Sequence, residues 1–411
     1  MFKIFDEYRG LRKEFYILLL GRIVSSMGAL VFSMLTLILK NKLGYSPSQV
    51  ADILLLATLI YIPGTLVAGR LCDRYNKRNL IILFSLVAIC CELVCAFIPL
   101  SLVTIVFHIC ASLFSLMQWP CYDALFADLS KTKDRDRVYS LNYLGNNLGG
   151  ILTPIVGGLL FEKYLHISFL VTALSALVST FMVFFLVKDV SKEKDDEIQS
   201  SYEKDNDQTT TVWQVLKNKR IILFYFFCMM IADMVYSQFM FLLPLNLEQL
   251  YQEKGAKYFG LLMSLNSFTV AIGTPLLTKL LKKQMDIKKV ISGQVLIVAT
   301  LCCFTFIQGI LPLYFVIGFV FTLGEICSSL GQKPYLTKRV PASYRGRIIS
   351  ISIIGVRICQ ALFDKGIGHL MEEYSVQVAW VVTGAIGLVV ILCYIVLAVF
   401  DKKNYPKLYS Y

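Results

Sequence analysis

The sequence has no glycine-rich loop of the kind that cradles phosphates, no converging set of nucleophile and base, and only three histidines among its 411 residues. Those absences argue against nucleotide-driven chemistry by this chain alone and against an enzyme of any hydrolytic type. Its 12 cysteines lie in or at the ends of apolar runs, among them the adjacent pairs Cys90-Cys91 and Cys302-Cys303, and none at metal-ligand spacing. Zinc, disulfides and bound cofactors are therefore not expected, and the thiols read as buried apolar side chains.

What the chain has in excess is apolar surface. Hydrophobic residues make up 56% and the mean hydropathy is +0.65, above the roughly 45–50% apolar share of soluble domains. Apolar windows start near residues 14, 48, 79, 101, 138, 166, 220, 257, 288, 311, 345 and 376, each long enough to cross a hydrocarbon core that needs about 20 helical residues. Lys3, Arg9, Arg12 and Lys13 before the first run imitate a signal peptide, but residues 14–38 are too long for its apolar region and no small-residue cleavage site follows, so a retained first span is expected. Residues 188–219, rich in Asp, Glu, Lys, Gln and Thr, read as a flexible cytoplasmic linker. The expectation is an all-α membrane protein with 12 transmembrane helices in two pseudo-symmetric six-helix bundles, residues 1–187 and 220–411.

The net charge of +12 would suit an acidic partner, yet its placement says otherwise. The loops on the side of the amino terminus hold 31 Lys and Arg, whereas the opposite loops hold only Lys40, Lys42, Lys163, Lys254 and Lys257. That bias is expected of a multi-pass protein of the cell membrane with both termini in the cytoplasm, and not of a nucleic-acid binder. A weak repeat supports two matching halves. Asp134–Ser140 (DRDRVYS) and Tyr344–Ser350 (YRGRIIS) are related by an offset of 210 that also places Gly145 on Gly355.

Ionisable residues inside spans cost about 2.5–3.5 kcal/mol each on insertion scales and so point to pairing or to a wet cavity. Arg22, Glu92, His108, Asp123, Asp233, Glu325, Lys333, Arg357, Asp364 and Lys365 are of this kind. Glu325 lies near the middle of its span with Ser329 and Gln332 at i+4 and i+7, which makes it a candidate proton-coupling carboxylate. Permanent pairing with Arg22 or Arg357 is the competing explanation. Arg357 and Asp364, seven apart on one helical face, are an equally plausible ion pair. Asp123, near Trp119 and Tyr122, and Asp233, near Tyr236, Phe239 and several Met residues, sit among side chains that suit a bulky apolar cation or plain helix packing.

Between the second and third spans stands Gly69-Arg70-Leu71-Cys72-Asp73-Arg74-Tyr75-Asn76-Lys77-Arg78, a polar turn with an acid that orientation alone does not require. It resembles the signature loop of the major facilitator superfamily. The small-residue fifth span, with Gly149, Pro154, Gly157 and Gly158, resembles the antiporter motif found in exporters of that superfamily, with Thr153 in place of the Gly before Pro154. Phe126-Ala127-Asp128-Leu129, Gly324-Glu325 and Tyr344-Arg345-Gly346 resemble the drug:proton antiporter branch, and LmrP-type multidrug transporters within it. The resemblance implies a conformational latch of Gly69, Asp73, Arg74, Arg78 and Asp128. It also implies a cavity lined by Glu325 and Asp233, and a position, Asn142, where close relatives carry an acid. It implies a monomeric, proton-coupled efflux transporter for lipophilic, cationic or zwitterionic compounds, with protons and membrane lipids as its other partners. A proton-coupled carrier of a polar metabolite or a lipid is the alternative, because Arg22, Lys333, Arg357 and Lys365 nearly balance the buried acids.

Overall fold

The computed structural model describes residues 10–27, 29–129, 135–187, 220–340 and 345–406. The 188–219 linker lies outside the described residues, as do the side chains of Asp73, Asp128 and Asn142. All regular structure among the described residues is helical. The first half carries α1 (Lys13–Met27), α2 (Leu30–Leu37), α3 (Pro47–Arg74), α4 (Lys77–Phe97), α5 (Leu102–Leu129), α6 (Arg135–Leu160) and α7 (Leu165–Leu186). The second half carries α8 (Arg220–Tyr251), α9 (Gly255–Leu280), α10 (Asp286–Phe304), α11 (Leu311–Thr337), α12 (Arg345–Glu373) and α13 (Val376–Asn404).

Each apolar run named above begins within three residues of a helix start. The agreement follows from local chemistry. α3 opens on a capping box, in which the Gln49 side chain accepts from the Ser46 N–H at 2.9 Å and Ser46 Oγ accepts from the Gln49 N–H, with Pro47 at the first helical position. Asn76 caps α4 by accepting from the Asn79 N–H at 3.1 Å, and Ser375 caps α13 in the same way through Val378. The polar stretch 69–78 is thereby mostly helix: α3 continues to Arg74, and the reversal needs only Tyr75 and Asn76. The first apolar run is not one helix, since it breaks between α1 and α2 and ends in a single π-helical segment, Ile38–Lys42.

Eight stretches of the described residues are long and apolar enough to cross a membrane, and one of them, Arg220–Leu280, contains both α8 and α9. α1 is too short for that test, and α12 carries Arg357, Asp364 and Lys365 in its length.

The chain divides into two compact units. One runs through Tyr45, resumes at Leu56 and includes Tyr251–Ala271; the other takes Ser46–Leu55, the stretch ending at Leu250 and everything from Ile272 on. In the first unit α1 packs on α6 and α7, and α4 packs on α5 and α7. In the second, α10 packs on α11 and α13. The starts of α4, α5, α6 and α7 recur at α10, α11, α12 and α13 with an offset of 209 to 211 residues. A polar bridge recurs with them. Ser85 on α4 donates to Gln118 on α5 at 3.1 Å, and Gln294 on α10 donates to Ser328 on α11 at 3.0 Å. The two side-chain types have exchanged helices while the tie between the helices is kept.

Small residues set how closely the helices approach. A Cβ on Gly149 would collide with Ser26 and lie 2.9 Å from the Ile23 carbonyl oxygen of α1; one on Gly157 would lie 3.2 Å from the Leu30 carbonyl oxygen of α2. Thr153 adds a clasp, its hydroxyl donating to the Ser26 carbonyl at 2.6 Å and to its own helix at Gly149. Gly69, in contrast, has nothing within 4 Å of an added Cβ. Gly149→Val should therefore lower stability by about 1–3 kcal/mol through overpacking. Gly69→Ala should leave it unchanged or raise it by about 0.5–1 kcal/mol, since alanine is the better helix former. Thermal unfolding of the two purified variants in detergent checks both.

Candidate functional site

In the first unit the charged side chains gather where α1 meets α5. Trp119, Tyr122 and Asp123 recur at i, i+3 and i+4 and so share a face of α5. Arg22 of α1 is 6% exposed, and its guanidinium carbon lies 3.7 Å from the centroid of the Trp119 ring and 5.0 Å from that of Tyr122. The Asp123 carboxylate, itself exposed, acts on the same charge. Aromatic faces can hold a desolvated cation with about 2 kcal/mol or more, so of the two roles open to Trp119, cation site or helix packing, its ring serves as a face for the chain's own Arg22. Asn142 lies on α6.

In the second unit α8 and α11 form the site. Tyr225 of α8 donates to the Gln332 carbonyl at 3.2 Å, and eleven residues on, Tyr236 stacks on Phe321 with centroids 5.4 Å apart. These two ties fix an antiparallel register that brings Asp233 level with Gly324 and Glu325. Phe239 stacks on the same Phe321 ring at 4.0 Å and 8°. The two half-buried carboxylates, Asp233 and Glu325, thus lie one helical turn from a three-ring stack and on the same side of it. Arg357 of α12 supplies the positive charge that acts on Asp233. Its guanidinium is exposed and donates weakly to Gln360 at 3.4 Å.

One pairing expected from spacing does not form. Asp364 bonds to Ser237 and Gln238 of α8 and not to Arg357, because α8 presents two neutral donors to that face of α12. On the face of Glu325, Ser329 donates to its own helix at Ile326, and Gln332 donates to Ser328 at 3.1 Å.

The Major Facilitator Superfamily profile matches residues 18–364. The chain belongs to that superfamily. A Na(+), Li(+), K(+)/H(+) antiporter of Planococcus maritimus is 21% identical over 329 residues, which are 72% of this chain and 75% of that protein. Among solved structures, a peptide transporter POT in complex with alafosfalin superposes with a TM-score of 0.78 at 16% identity, covering 97% of this chain and 96% of that one. The nucleoside transporter NupG gives 0.73 at 12%, covering 93% and 99%, and a bacterial homologue of the human lysosomal transporter Spinster gives 0.72 at 12%, covering 93% and 96%. At these identities the structural likeness shows the fold: this is an all-α, multi-pass transporter of the superfamily, and not an enzyme.

Within that fold the latch residues divide. Asp73 and Arg74 close α3, with Arg74 exposed, and Asp128 lies in the last turn of α5. Arg78, on the first turn of α4, donates to the main-chain carbonyls of Val183 at 3.4 Å and of Phe184, so it closes the end of α7 as well as carrying charge. Gly158 packs against the start of α9, where an added Cβ would lie 2.8 Å from the Ala256 carbonyl oxygen, and the Pro154 carbonyl abuts Gly260. The second half has no acid at Leu277, but Asp286 at the start of α10 binds Lys338 at 2.6 Å and Lys289 at 3.7 Å. Arg339 binds Asp401 through both carboxylate oxygens, with Tyr335 donating to the same carboxylate at 3.1 Å. Sequence reasoning missed these pairs because Asp286 and Lys338 are 52 residues apart, and Arg339 and Asp401 are 62 apart; the clue available was an Asp, Asp401, inside an apolar last span. Asp401 is fully buried. Asp401→Ala should cost about 3–5 kcal/mol, the penalty of stranding a buried guanidinium, read as a drop in unfolding temperature.

Proposed function

We propose that this transporter is a proton-coupled antiporter that exports lipophilic organic cations by alternating access. The observation that carries the reading is the level pair Asp233 and Glu325 beside the Tyr236–Phe321–Phe239 stack, with a guanidinium, Arg357, set against Asp233. Each of the two carboxylates can take up a proton, and each when ionised attracts a cation. The rings supply apolar area and π-faces for an organic cation. Antiport also agrees with the exchange named for the Planococcus maritimus relative.

In the same reading residues 1–187 and 220–411 are the two six-helix halves, joined by the 188–219 linker on the cytoplasmic side together with both termini. Gly69, Asp73, Arg74, Arg78 and Asp128 set the balance between states. Gly149, Pro154, Gly157 and Gly158 give the α6 backbone the close approach that rocking of one half against the other would use. Asp123, Arg22 and Asn142 belong to the first-half wall of the pathway. The relative's name favours a second reading, exchange of a small inorganic cation for protons.

Inside-out membrane vesicles distinguish the two. With an acid interior, the parent should accumulate a fluorescent lipophilic cation and Glu325→Gln should not. No accumulation of several lipophilic cations by the parent, together with sodium-driven proton movement, would replace the first reading by the second.

A further inference from the structure

Asp364 lies outside the acid pair just described, and its surroundings have a chemistry of their own. It is 8% exposed on α12. Its Oδ1 accepts from Ser237 Oγ at 2.8 Å and from Gln238 Nε2 at 2.6 Å, both on α8. Gln238 Nε2 also lies 3.0 Å from Ser237 Oγ, so the three side chains form a closed triangle. Ser237 and Gln238 are 1% and 0% exposed. No cation pairs with the carboxylate among the described residues. Lys365, next in sequence, is held by Asp52 at 2.7 Å; Arg357, two turns back, acts on Asp233; His369 faces Glu373 at 4.0 Å; and Asp233, one turn along α8, is itself acidic. Among the described residues the side chains bonded to Asp364 are the two neutral donors.

One atom of the triangle is unsatisfied. Gln238 Oε1 is fully buried and has no hydrogen-bond partner, an arrangement that folded proteins rarely retain. A terminal amide presents either its nitrogen or its oxygen to a neighbour by a half-turn. With Asp364 ionised, the nitrogen must face the carboxylate and the oxygen is stranded. With Asp364 protonated on Oδ1, a half-turn of the amide lets that O–H donate to Gln238 Oε1 while Ser237 Oγ keeps its bond to Oδ1, and Nε2 gives up its contacts to Asp364, Ser237 and the Met234 carbonyl in exchange.

We propose that Asp364, Ser237 and Gln238 form a second proton-binding site between α8 and α12, in which a buried carboxylate bonded only to neutral donors takes up a proton and the Gln238 amide turns with it. Any part it takes in coupling rests on the proton-coupled reading above, but the binding of the proton does not. Uptake places the proton on Asp364 and turns the amide; release turns it back, so the tie between α8 and α12 changes its donor without breaking.

Infrared difference spectroscopy of the purified, full-length protein during acid titration, without substrate, tests this. The parent should show a carboxylic-acid C=O band that is lost in Asp364→Asn and displaced in Gln238→Leu, while Glu325→Gln and Asp233→Asn retain it. The amide introduced by Asp364→Asn would donate to Gln238 Oε1 as the protonated acid does, so that variant should unfold at the parent's temperature or above it. An unchanged band in Asp364→Asn overturns the assignment, as does a band in the parent that responds to sodium at constant pH and not to acid. Because no substrate is present, failure of the lipophilic-cation reading in vesicles leaves this result standing, and failure here leaves that reading standing.

Discussion

A charge that this chain carries into an apolar span has to be paired or kept wet, and the helix arrangement follows from how each is met. Insertion scales set the cost of a charge left alone at a helix centre at about 2.5–3.5 kcal/mol. Arg22 is met by two aromatic faces and Asp123. Glu92 and His108 meet each other at 2.9 Å under the edge of Phe169. Arg339 and Asp401 share two hydrogen bonds and Lys365 takes Asp52. Each of these ties brings one acid to one base. The cluster on α8, α11 and α12 is different. There Asp233 and Glu325 stand level with each other within the field of Arg357, and Asp364 is met by neutral donors. An acid paired with a base fixes a fold; an acid met by neutral donors is what a proton can act on.

Close packing lets so many polar groups be reached at all. Backbones that approach through Gly149 and Gly157 put main-chain carbonyls within range of side chains from the next helix, as Thr153 shows by donating to Ser26 across α1 and α6. The same economy appears in the repeated bridge, Ser85 with Gln118 and Gln294 with Ser328, where a short and a long polar side chain span the gap between paired helices from either direction. The offset of 209 to 211 residues between helix starts shows that the two halves keep one plan, while the charges they carry do not repeat: Arg22 on α1 stands near the position that corresponds to Asp233 on α8.

The helices were legible because their boundaries are local events. Apolar runs, a Ser46–Gln49 capping box, Asn76 and Ser375 determine where a helix begins, and each acts within a few residues of the boundary it sets. The family was legible for a similar reason, since Gly69–Arg78 and Gly149–Gly158 are contiguous motifs. The pairing of charges was not. Spacing alone made Arg357 and Asp364 partners, whereas α8 supplies Ser237 and Gln238 to Asp364, a choice decided by which face of a helix more than a hundred residues away is turned toward α12. Likewise the sequence leaves Trp119 open between a cation site and helix packing, and in three dimensions it covers Arg22. Side-chain partners across helices depend on rotation about the helix axis, and hydropathy carries almost no information about it when a helix is apolar all round.

Sharing of the Asp233 and Glu325 carboxylates has a consequence for the proposed exchange. A proton and an organic cation that compete for the same carboxylates exclude each other, so loading one from one side of the membrane displaces the other, and antiport needs no separate device to enforce it. A site where both bound together would carry them in the same direction. Reciprocity of binding makes this strict: if a proton lowers the affinity for the cation, the cation lowers the affinity for the proton by the same factor. A second proton site at Asp364 would alter the arithmetic without altering the logic, since its acid is satisfied by Gln238 and Ser237 and lies outside the ring stack. Its proton would sit on a carboxylate separate from Asp233 and Glu325, and would therefore let acidity bias the α8–α12 tie between states.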